Sequence, residues 1–224
     1  MALRLQRKLR RWHRWLAIVT AVQLLAWTLS GIFFAFIDIE FVRGADHRQP
    51  VLQTPIDLSA ASWITADATE VLIRNRLPEE VVVGVVGLEE TRWYLPNGKV
   101  LPALNEIEAL QLAGLKTDLN ANRAVFITEA EVGSEYRGRA LPLWRVFKDK
   151  NPSTVAYIDA TSGELVAVRN TAWRWWDFLW SLHIMDYDDR DTIGTLFLKL
   201  FSIMSLLTAI AGVALFISLP KKWR

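Results

Sequence analysis

The sequence predicts an α+β domain flanked by two transmembrane helices, and three observations carry that prediction. Two long runs, Trp15–Ile37 and Leu200–Leu219, contain no charged residue. Each reaches the roughly 20 apolar residues that a helix needs to cross a bilayer. All 24 acidic residues lie between Asp38 and Asp191, where they outnumber 16 basic residues for a net of −8. Within that acidic stretch, helical spacing alternates with short β-type runs.

The remaining ten basic residues sit at the two ends, with no acid among them. The sequence pI near 9.0 is therefore no sign of a nucleic-acid binder. Basic ends beside apolar runs are what the positive-inside rule expects of cytoplasmic segments. The chain has no cysteine, which excludes disulfides, thiolate metal sites, iron–sulfur clusters and covalently attached c-type haem. It contains no Gly-rich phosphate loop, Ser–His–Asp arrangement or H-E-x-x-H motif.

Residues 1–37 form a basic cytoplasmic start and the first crossing. A cleaved signal peptide is the competing reading. The apolar run is too long for it, and Trp27–Gly31 leads to no small-x-small cleavage site. Ala17, Ala21, Thr28, Gly31 and Ala35 fall near one face of this helix. Ser202, Ser205, Ala209 and Gly212 do the same in the second crossing. Small faces let helices approach closely in lipid, so the two crossings are expected to pack together or to meet another chain or a flat cofactor.

Residues 38–170 form the translocated domain. Ser59–Leu77 reads as a helix, with Ala61, Ile64, Ala68, Val71 and Leu72 at helical spacing. Strands follow at Val81–Leu88, Arg92–Leu95 and Lys99–Leu101, with a turn at Pro96–Gly98. A second helix covers about Leu104–Leu119. Strands then come near Ala124–Glu131, Leu143–Lys148, Thr154–Asp159 and Glu164–Arg169. The order suggests two similar units, each a helix plus an antiparallel meander.

Residues 171–192 are an interfacial segment whose tryptophans, Trp173, Trp175, Trp176 and Trp180, mark the outer membrane boundary. Its acidic turn holds Asp186, Asp188, Asp189 and Asp191. It is either a solvated turn in which Asp191 caps the next helix or an oxygen site for a hard cation. Residues 193–224 give the second crossing and a basic cytoplasmic tail with Lys221 and Lys222.

Three stretches resemble the PepSY-associated transmembrane (PepSY_TM) family. They are Lys8–Leu16, continued by Thr28–Gly31; Ala156–Leu165 within Leu143–Val168; and Trp176–His183, continued by Thr208–Gly212. The resemblance implies an inner-membrane protein with a periplasmic PepSY-like domain. It also brings a haem b cofactor and kinship with reductases of siderophore-bound iron. Larger members have more crossings. This chain has two, and only three histidines, so it would act as a dimer or as a subunit of a membrane redox complex. Isolated PepSY domains are also associated with protease inhibition, so the alternative is a non-enzymatic periplasmic binding or regulatory module.

His13 and His183 are the haem-iron ligands that the resemblance implies, with Arg10, Arg11 and Arg14 available for the propionates. His13 lies at the cytoplasmic boundary and His183 at the outer one, on the order of 30 Å apart across the bilayer. A single iron cannot bind both, but a symmetric dimer would supply two copies of each. The plainer readings are a headgroup-facing His13, an interfacial His183 paired with Asp186 or Asp177, and a solvated His47; the alternative for His47 is to partner His183 on the outer side.

Overall fold

A computed structural model describes residues 2–50, 55–56, 59, 62–64, 68–88, 90–149 and 152–217. The basic tail at 218–224, with Lys221 and Lys222, lies outside the described residues, as do 60–61 and 65–67 of the expected first helix. The chain forms two compact units: residues 1–38 with 175–224, and residues 39–174.

The first unit contains α1 (Ala2–Phe36), the end of α4 (Thr171–Ile184) and α5 (Leu196–Ile217). α1 is continuous through the basic segment and about 52 Å long at 1.5 Å per residue. α5, at about 33 Å, matches a bilayer core. It starts before Lys199, where Thr195 Oγ1 accepts from the Leu198 backbone N–H at 3.2 Å. Thr195 rather than Asp191 is thus the N-cap.

Both helices leave most of their apolar surface bare. Ile18, Val22, Leu25, Leu29 and Ile32 on α1 are exposed, as are Leu200, Ile203, Leu206, Ile210, Val213 and Phe216 on α5. A buried core helix of a soluble protein would hide these side chains. A surface this large and apolar is suited to lipid.

α1 packs along α5. Its covered face follows the 3.6-residue period through His13, Ala17, Thr20, Gln23, Trp27, Ser30 and Phe34. Of the small residues expected at this seam, Ala17 lies on it, whereas Ala21, Thr28 and Ala35 face outward and a Cβ on Gly31 would meet open space. On α5, Ser205, Thr208 and Gly212 line the seam, while Ser202 and Ala209 do not. The hydroxyls of Thr20, Thr28, Ser202 and Thr208 each donate to the carbonyl four residues back, at 2.7–2.8 Å. This local bond satisfies them without water.

The second unit begins with a short helix, α2 (Ile39–Val42), and a turn at Ala45–His47. Two antiparallel sheets follow. One orders β1 (Glu70–Asn75), β2 (Val81–Val86) and β3 (Thr91–Tyr94). The other is a meander of β4 (Arg123–Ile127), β5 (Leu143–Phe147), β6 (Val155–Asp159) and β7 (Leu165–Arg169). Between the sheets in sequence lies α3 (Glu106–Lys116). Ala109, Leu112 and Ala113 of α3 pack on Val146 and Ile158 of the larger sheet. Asn105 starts α3 with a capping box: its side chain accepts from Glu108 N, and the Glu108 carboxylate accepts from Asn105 N.

The expected helix Ser59–Leu77 is corrected at its C-terminal end, where Glu70–Asn75 is strand β1 paired with β2. Val71, Leu72 and Ile73 find a valine-rich partner at Val81–Val86, and that pairing outweighs their helical spacing. The first unit of the expected repeat is therefore a three-stranded meander among the described residues. Lys99–Leu101 contributes only an isolated bridge, Tyr94 to Val100. The tryptophan-rich segment contains a helix that its reading as a membrane belt did not include. Asn170 caps that helix, α4, by accepting from Trp173 N at 2.7 Å.

At the end of α3, Lys116 Nζ donates to the Gly163 carbonyl at 2.6 Å. Burial pushes this ammonium below its ordinary 10.5, against the opposing pull of Glu164. Over the pH window between the lowered native value and 10.5, the unfolded chain binds more protons than the folded one, so stability rises with pH there. Lys116→Met is expected to remove this increment. Thermal melts across that window, compared between wild type and variant, check it; parallel curves would contradict it.

Candidate functional site

The C-terminal end of α4 meets α1 inside the membrane unit. A helix leaves its last four carbonyls without partners, at about 1–3 kcal/mol for each one buried unpaired. Here side chains answer three consecutive ones. Gln23 Nε2 donates to Leu182 O at 2.9 Å, and Trp27 Nε1 donates to His183 O at 2.8 Å. Thr195 Oγ1 donates to Ile184 O at 3.3 Å. These bonds fix the height and rotation of α4 against α1, and with them His183.

The imidazole of His183 is then oriented by Ser30, which is fully buried. His183 Nδ1 lies 2.8 Å from Ser30 Oγ, and Ser30 Oγ donates to Trp27 O at 3.0 Å. Three aromatic rings complete the surroundings. The Trp180 plane is parallel to the imidazole within 4°, at 6.3 Å between centroids. Phe34 stands edge-on at 5.8 Å, and Trp27 is tilted at 6.3 Å. Trp176 stacks on Trp180 at 5.2 Å, extending the aromatic wall.

The acidic residues beside this site are engaged elsewhere. Asp177 is buried and ion-paired with Arg190 at 2.6 Å. The Asp186 carboxylate accepts the backbone N–H groups of Asp191 and Thr192. The acidic turn thus bonds to its own backbone, and the partner of His183 Nδ1 is Ser30 rather than either aspartate. No group of three metal-ligating side chains occurs among the described residues.

His13 lies on the same face of α1, 17 residues before Ser30. That separation is about 25 Å along the axis, so one protomer cannot offer both histidines to one iron. A Cβ on Gly212 would come within 3.2 Å of His13 Cε1, so the glycine of α5 leaves the space in which the ring lies. His13 Nδ1 is buried without a hydrogen-bond partner. Such an orphaned nitrogen calls for a function or a missing ligand. Arg10 shares the face of His13 one turn earlier, and Arg14 follows it directly; Arg10, Arg11 and Arg14 are all exposed. In the other unit, His47 Nδ1 lies at hydrogen-bond distance, 2.9 Å, from Asp118 Oδ1, so the ring has a protein partner rather than solvent alone.

Gln23, Trp27 and Ser30 did not figure among the sequence candidates. A lone glutamine within an uncharged apolar run is itself a signal, because polar groups in lipid are retained for a partner.

Two bare apolar helices, one of them tied by polar contacts to the end of α4, and a separate α+β unit define a membrane-anchored domain protein. The family comparison makes this specific. Residues 10–224 match the PepSY_TM family, the PepSY-associated TM region, and the chain belongs to that family. No curated protein and no solved structure matches the chain.

Proposed function

We propose that this protein is a haem-dependent transmembrane electron-transfer component that delivers electrons to ferric iron, as a homodimer or as a subunit of a membrane redox complex. The observation that carries the reading is His183. Its Nδ1 is held by a buried serine, and its ring is enclosed by aromatics at a helix end anchored to α1. The residues fit haem b. Imidazole is a strong haem ligand, His183 Nε2 is left for ligation, and His13 brings an orphaned ring nitrogen. The 25 Å separation along α1 makes two sites, each completed by a second copy of the same histidine. Arg10, Arg11 and Arg14 supply cations for propionates beside His13. When bound, haem supplies a one-electron carrier; the protein's part is to ligate, orient and exclude water.

The charge distribution supports the bacterial inner membrane, with both ends cytoplasmic and the α+β domain periplasmic. Reduced, desalted protein is expected to be re-oxidised by a ferric chelate such as ferric citrate, followed by the loss of its reduced absorption band. A reduced band that persists with excess ferric chelate would contradict iron reduction.

A second reading takes the α+β domain as a binding or regulatory module. It draws on a cleft of about 740 Å³ lined in part by Arg74, Trp93, Tyr94 and Leu101. Co-purification of a periplasmic protease, rather than a cytochrome or reductase, would favour it.

A further inference from the structure

We propose that Ser30 is a positioning residue for His183. It holds the imidazole as the Nδ1–H tautomer, so that the Nε2 lone pair is the one presented to a metal. The assignment follows from counting donors. Ser30 has one hydroxyl proton, and its Oγ makes two contacts, to Trp27 O at 3.0 Å and to His183 Nδ1 at 2.8 Å. If the proton goes to the Trp27 carbonyl, His183 Nδ1–H must donate to Oγ, and both contacts are hydrogen bonds. If the proton goes to Nδ1 instead, the carbonyl contact is lost and a donor N–H is placed on Nε2. Ser30 is completely buried, so no water replaces the lost bond, and the arrangement with more bonds is favoured.

The bonds close on themselves. Ser30 Oγ–H donates to Trp27 O, Trp27 Nε1–H donates to His183 O, and His183 Nδ1–H donates to Ser30 Oγ. Turning the serine rotor breaks two of these bonds, turning the imidazole breaks its bond to Ser30, and the Trp27 bond holds the His183 backbone in place. Trp180 lies parallel to the ring, within 4° and 6.3 Å between centroids. A ligating histidine that donates its other N–H is fixed in tautomer and made more basic. The ligand role of Nε2 rests on the haem reading above; the tautomer itself does not.

The test is nitrogen NMR of protein labelled with ¹⁵N-histidine, purified without haem in detergent at a pH where the rings are neutral. His183→Ala assigns the signal. Wild type is expected to show His183 protonated at Nδ1. Ser30→Ala is expected to release it to a mixture of tautomers, and Ser30→Thr, which keeps the hydroxyl, to restore the lock. His183 protonated at Nε2 in wild type, or a tautomer unchanged by Ser30→Ala, would overturn the proposal. On haem-loaded protein, Ser30→Ala is expected to weaken haem retention by about 10–100-fold and to raise the reduction potential, with Ser30→Thr close to wild type. Equal retention in all three would overturn the positioning role. A protein that takes up no haem yet shows the locked tautomer would remove the electron-transfer reading and leave the lock standing.

Discussion

Changing His13 and His183 together to alanine is expected to leave the purified protein without haem, while each single variant keeps one of two spectrally separable sites. If these histidines hold haem, as proposed, their separation calls for two sites rather than one. His13 and Ser30, the contact of His183, lie on one face of α1 and 17 residues apart, about 25 Å by helix rise. Ligation of a single iron by His13 and His183 of one protomer is therefore excluded. The two sites also differ in kind. His183 sits in a hydrogen-bonded aromatic enclosure, whereas His13 lies against Gly212 with a buried unpaired Nδ1. Haem bound at the two should differ in potential accordingly, because a hydrogen bond to the ring nitrogen that does not ligate makes the other nitrogen more basic. Haem-to-protein ratios for wild type, the two single variants and the double variant check this. Full haem in the double variant would show that the histidines are not the ligands.

Arg76→Ala is expected to destabilise the α+β domain by about 3–5 kcal/mol, the usual consequence of removing one partner of a buried ion pair. Arg76 is only 4% exposed. Its guanidinium makes a fork with Glu80, Nε to Oε2 at 2.8 Å and Nη2 to Oε1 at 2.7 Å. Its Nη1 also donates to Pro102 O at 2.7 Å and to Thr161 O at 3.1 Å. One side chain thus joins the β1–β2 turn, the segment before α3 and the β6–β7 turn. The chain makes room for it at Gly163, whose φ is +70°; a Cβ there would lie 2.8 Å from Arg76 Cγ. Removing the guanidinium strands a carboxylate and two carbonyls at once. Arg76→Lys recovers only part of the loss, since an ammonium cannot form the fork. Chemical denaturation of the full chain measures the change, and a loss below about 1 kcal/mol would place Arg76 among ordinary surface pairs.

The membrane helices were legible in the sequence because bilayer thickness dictates their length and lipid dictates their composition. The second sheet was legible because its strands follow one another in sequence and pair with their neighbours, with β6 and β7 closed by the short turn at Thr161–Gly163, which lets local pattern decide. β1 was not, because Glu70–Asn75 becomes a strand only when Val81–Val86 pairs with it, and isolated spacing cannot report that. α4 left a readable trace in the recurrence of Trp173, Trp176, Trp180 and Ile184 at helical spacing, which the reading of an aromatic belt obscured.

The two histidines could be singled out in the sequence, but not what holds them. Ser30 lies 153 residues from His183 in sequence, and Gln23 lies 159 from Leu182. Only the fold brings them together. The expectation that His183 pairs with a neighbouring aspartate failed for a physical reason. Asp177 is engaged by Arg190 and Asp186 by the backbone of its own turn, whereas the buried serine faces the imidazole directly.

The most direct measurement is the reduced-minus-oxidised absorption spectrum of wild-type protein purified in detergent from haem-replete cells. A sharpened Soret band and the α band of a b-type haem, both diminished in His183→Ala, are the predicted result. A featureless spectrum from fully folded protein would contradict the account.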